Sequence, residues 1–117
     1  MTRLRTDIWV SALIRRASAE GAYVTLARRG AAEAGTIFLL VDRLTGEIDL
    51  YGPAPQSAFF DEDRPSDRLF SLLLGAAERR KVEERIESEI RFDPDLWVVE
   101  IEDRKGRPFA SLAQESG

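Results

Sequence analysis

Cysteine and histidine are both missing from this chain of 117 residues. Without a thiolate or an imidazole, thiolate zinc sites, iron–sulfur clusters, disulfide frameworks, His-ligated haem, Ser-His-Asp triads and Cys nucleophiles are all excluded. Any catalysis would rest on carboxylates, Lys, Tyr, Ser or Thr, or on a hard cation held by oxygen ligands. No cofactor is expected. Long apolar runs are missing too: none approaches the ~18 residues of a transmembrane helix, so no membrane contact is expected. The opening MTRLRTDIWVSALIRR is basic and then apolar, but Asp7, Ser11 and the arginines break it before it makes a signal-peptide core, and no small-residue cleavage site follows. The expected compartment is the cytoplasm.

Phosphate grips are equally scarce. RRGAAEAGT at 28 to 36 carries two glycines but no G-x-G-x-x-G pattern and no Walker lysine. The acid run Asp61, Glu62, Asp63 lacks the spacing and distal Glu of an EF-hand loop.

What is present is the composition of an ordinary globular protein, 44% hydrophobic and 32% charged, at a length that favours one core. We expect a single domain over 1–117, with about 112–117 a frayed tail. The net charge of −4 is unevenly placed. The first 30 residues hold six arginines against Asp7 and Glu20, an excess of four positive charges, and the remainder carries an excess of eight negative ones. A patch of Arg15, Arg16, Arg28 and Arg29 could therefore bind phosphate or nucleic acid, or the acidic second helix of the same molecule. With neither Lys-rich clustering nor interleaved aromatics, the nucleic-acid reading is the weaker of these.

Periodicity predicts a helix over 7–20, where Trp9, Val10, Leu13, Ile14 and Ala17 form one face, Thr6 or Asp7 serves as the N-cap, and Gly21 stops the helix. Residues 22–29 alternate as a half-buried strand. TIFLLVD at 36–42 is apolar on both faces and suits a central strand covered on both sides. RLTG joins it to GEIDLYG at 46–52 as a hairpin. Residues 68–74, RLFSLLL, fit strand or helix, with strand preferred and Gly75 ending the element. A surface helix follows over 77–92, with Val82, Ile86 and Ile90 as its narrow apolar stripe and Pro94 beyond its end. LWVVEIED at 96–103 is a strand. The fold class is α+β: an antiparallel sheet of four or five strands with two helices packed mainly on one face.

The candidate sites concentrate in GPAPQSAFFDEDRP at 52–65. Pro53 and Pro55 stiffen this loop, and a stiff loop beside aromatics can be docked on without first being ordered. Tyr51, Pro53, Pro55, Gln56, Phe59 and Arg64 are the expected contact residues for a protein partner, or for self-association. Asp61 and Asp63 are the candidate ligands for Mg²⁺ or Ca²⁺, although a solvated turn with a local ion pair explains them as well. Glu100 and Glu102 share a strand face but make an incomplete site alone. The two tryptophans sit in near-identical contexts, DIWV at 7–10 and DLWV at 95–98, whose flanks differ; they read as core anchors meeting in one cluster.

Five segments, TDIWVSALIRR at 6–16, RRGAAEAGTIFLLV at 28–41, GPAPQS at 52–57, DEDRP at 61–65 and FDPDLWVVEIED at 92–103, together resemble the family catalogued as domain of unknown function 1491, found mostly in alphaproteobacteria. The resemblance implies a single-domain, bacterial, cytoplasmic protein. It carries no activity, cofactor or catalytic residue with it.

Overall fold

The computed structural model describes residues 4–55 and 68–113. The apolar run at 36–42 forms β2, Ile37–Asp42, and its first five residues are all buried. Side chains alternate across a strand, so such a run must be covered on both faces. One set, Ile37, Leu39 and Val41, packs with Val10, Leu13 and Ala17 of α1, Thr6–Ala19. The other set, Phe38 and Leu40, packs with Val82, Ile86 and Ile90 of α2, Arg79–Phe92. The helices therefore lie on opposite faces of the sheet, and the expectation that both pack mainly on one face is corrected.

The sheet is larger and more mixed than expected. Among the described residues six strands run in the order β1-β5-β2-β3-β4-β6, with β1 Tyr23–Arg28, β3 Ile48–Pro53, β4 Leu69–Ala77, β5 Trp97–Glu102 and β6 Ser111–Leu112. Three neighbouring pairs are antiparallel, but β2 runs parallel to β5, from Ile37 opposite Trp97 to Asp42 opposite Glu102, and β4 runs parallel to β6. The buried character of both β2 and β5 agrees with parallel pairing in the sheet interior. β6 arises where the sequence reads a chain tail: Ser111 pairs with Leu69 and Leu112 with Phe70.

Two boundaries depart from local reading for identifiable reasons. Thr6 does not cap α1. It is fully buried, with Arg68 donating to its hydroxyl at 3.2 Å, and Arg5 occupies the cap position. Gly75 does not end β4. The strand continues through a bulge against β3, where the Ala76 amide, at φ 48°, donates to the buried carboxylate of Asp49 at 2.8 Å. Gly21, at φ 95°, does end α1.

Both tryptophans join the core on the α1 side. Trp97 is 1% exposed, whereas Trp9 packs against that cluster from its edge, 5.5 Å from the Phe70 ring. The segment RRGAAEAG wraps Trp97. The indole N–H donates to the Ala31 carbonyl at 2.8 Å, Arg29 lies over the ring at 5.2 Å, and the Ala31 amide donates to the Asp95 carbonyl at 2.9 Å. A Cβ on Gly35 would sit 3.0 Å from the indole. The glycines of this segment thus serve close backbone approach to a tryptophan.

Candidate functional site

Tyr51 follows the alternation of β3 and pairs with Leu39. Its ring is 7% exposed in the α1-side core with Phe70 and Trp97, where burial, and then the charge of Asp49, push its hydroxyl above the ordinary tyrosine range. Tyr51 is thereby withdrawn from the expected contact surface. Gly52 is buried as well; a Cβ there would come within 2.6 Å of Leu73 and 2.9 Å of Phe38. Exposure begins at Pro53, the last residue of β3, and continues at Pro55. Between them the Ala54 amide donates to the Leu69 carbonyl at 2.9 Å, tying the exit of β3 to the entry of β4. Gln56, Phe59, Arg64, Asp61 and Asp63 lie outside the described residues.

The four arginines do not converge. The Asp7 amide donates to the Ala32 carbonyl at 3.0 Å, so the start of α1 lies by the far end of β1. Arg15 and Arg16, near the end of α1, consequently sit at the opposite end of β1 from Arg28 and Arg29. Six strand residues separate these ends by roughly 17 Å. Arg16 donates to the Phe109 carbonyl at 2.6 Å, Arg28 donates to the Pro94 carbonyl at 2.7 Å, and Arg29 covers Trp97. Three of the four brace the fold, and the expected patch is replaced by two separate ends.

The structure gathers charges into pairs that their spacing in the sequence does not reveal. Arg79, at the start of α2, donates to Glu100 at 2.8 Å and to Asp42 at 3.3 Å, and the Glu100 hydrogen bond is the largest influence raising its affinity for the proton. Glu100 is therefore half of an ion pair between α2 and β5. Arg43 reaches the buried Asp49 at 2.7 Å. Asp103 accepts from the backbone amide and the guanidinium of Arg107, each at 2.9 Å, and Arg107 also meets Glu20 at 3.4 Å. The only local sequence cue among these pairs is the four-residue spacing of Asp103 and Arg107. Among the described residues, no group of three acids stands close enough to hold a metal ion.

Asp103 offers a pH test. It is 7% exposed, and hydrogen bonding by Arg107 holds its carboxyl at about 2, below the ordinary 3.8, against the opposing effect of burial. A carboxylate whose pKa is lower in the folded state stabilises fully above its unfolded pKa, and that contribution is lost as pH falls through the folded value. Urea unfolding of the wild type and of Asp103→Asn should therefore differ by a constant amount at about pH 5 to 7, and the gap should close between about pH 4 and pH 2. A gap unchanged at pH 2 would contradict this assignment.

The family model described as a protein of unknown function, DUF1491, matches residues 4–111. The chain is similar to the crystal structure of a DUF1491 family protein from Caulobacter crescentus CB15, with 38% identity over 97% of this chain and 100% of that one, at a TM-score of 0.78. It is also similar to the solution structure of a protein from A. tumefaciens, with 39% identity over 99% of this chain and 100% of that one, at a TM-score of 0.81. No curated protein matches.

Proposed function

Since the chain belongs to the DUF1491 family, a family of unknown function, we propose its role from its own geometry: a non-enzymatic module that binds a protein partner through the loop leaving β3. One observation carries this reading. Pro53 and Pro55 are exposed on either side of an anchored Ala54, so a rigid apolar strip opens the loop. Two fixed φ angles reduce the entropy lost when a partner docks. Gln56, Phe59 and Arg64 follow these prolines in the sequence. The arginines at 16, 28 and 29 are engaged within the fold, which favours this reading over phosphate or nucleic-acid binding. No helix of the described residues is long and apolar enough to cross a membrane, and the proposed setting is the bacterial cytoplasm.

The test is affinity recovery from the native cell, using the wild type, the double variant Pro53→Ala/Pro55→Ala, Phe59→Ala and Arg64→Ala. Recovery of a specific partner should fall several-fold with the proline pair and with Phe59→Ala, while far-UV circular dichroism stays unchanged. Equal recovery by all four proteins overturns the proposal.

A further inference from the structure

We draw no further inference here: the strongest candidate, the uncharged edge of β1 from Tyr23 to Ala27, which ends the sheet among the described residues, has arginines at both of its ends, with Arg107 already paired to Glu20, and nothing in the structure shows what covers it.

Discussion

Alanine at position 97 should lower the unfolding free energy by about 3–5 kcal/mol, the usual cost of emptying a buried tryptophan site. Trp97 is 1% exposed and is the first residue of β5, opposite Ile37 in the parallel pair. Its loss would open a cavity in the α1-side core and leave the Ala31 carbonyl without the indole donor. Arg29 would also lose the ring it covers. Trp97→Phe separates these effects. It keeps an aromatic ring but removes the N–H, so about 1 kcal/mol of the total should follow the lost hydrogen bond, together with a smaller packing term. Trp9→Ala is the contrast. Trp9 is only half-buried, 5.5 Å from Phe70 and with Arg68 6.0 Å over its ring, so its removal should cost clearly less. Guanidinium titrations followed by far-UV circular dichroism measure all three without relying on tryptophan fluorescence. Equal losses for Trp9→Ala and Trp97→Ala would show that the core is not centred where the burial places it.

A single methyl group added at Gly30 should be nearly as damaging, at about 3 kcal/mol, the upper part of the range for overpacking. The added Cβ would overlap the Asp95 carbonyl oxygen and lie 2.6 Å from the Trp97 ring. Backbone retreat is blocked, because the adjacent Ala31 both donates to Asp95 and accepts from the indole. Gly21→Ala supplies the comparison. Gly21 has φ 95° and nothing within 4 Å of an added Cβ, so its substitution carries a conformational cost of about 1 kcal/mol and no steric one. Thermal unfolding of the two variants should therefore rank Gly30→Ala well below Gly21→Ala. The reverse order would mean that the 30–35 segment yields to the methyl and that the tryptophan is not tightly enclosed.

The elements read most accurately from the sequence were those whose partners lie a few residues away. Val82, Ile86 and Ile90 recur on one helix face, and all three pack against the sheet. The segment 68–74 is a strand from Leu69, and β4 runs further, through Gly75 to Ala77, because its pairing with β3 and the Asp49 contact continue it. The two-sided apolar character of β2 already required cover on both faces, which the one-face packing scheme failed to honour. Tyr51 alternates onto the face opposite Ile48 and Leu50, and it is buried because the α1-side core covers that face of β3 as well, a second layer that the pattern of β3 alone does not announce.

Composition and periodicity by themselves determined the excluded chemistry, the mixture of helices and strands and most element positions, because these depend on which side chains exist and on spacings of two to four residues. Only the tertiary structure decided that β2 lies parallel to β5, that Thr6 is buried under Arg68 instead of capping its helix, that RRGAAEAG encloses Trp97, and that the arginines at 15, 16, 28 and 29 part to two ends of β1. Each of these depends on partners 60 or more residues apart, or on the direction in which one element crosses another. A glycine kept for close approach and a glycine kept for a phosphate look alike until the packed neighbour is in place, and an arginine's task is set by the carbonyl or ring that folding brings beside it.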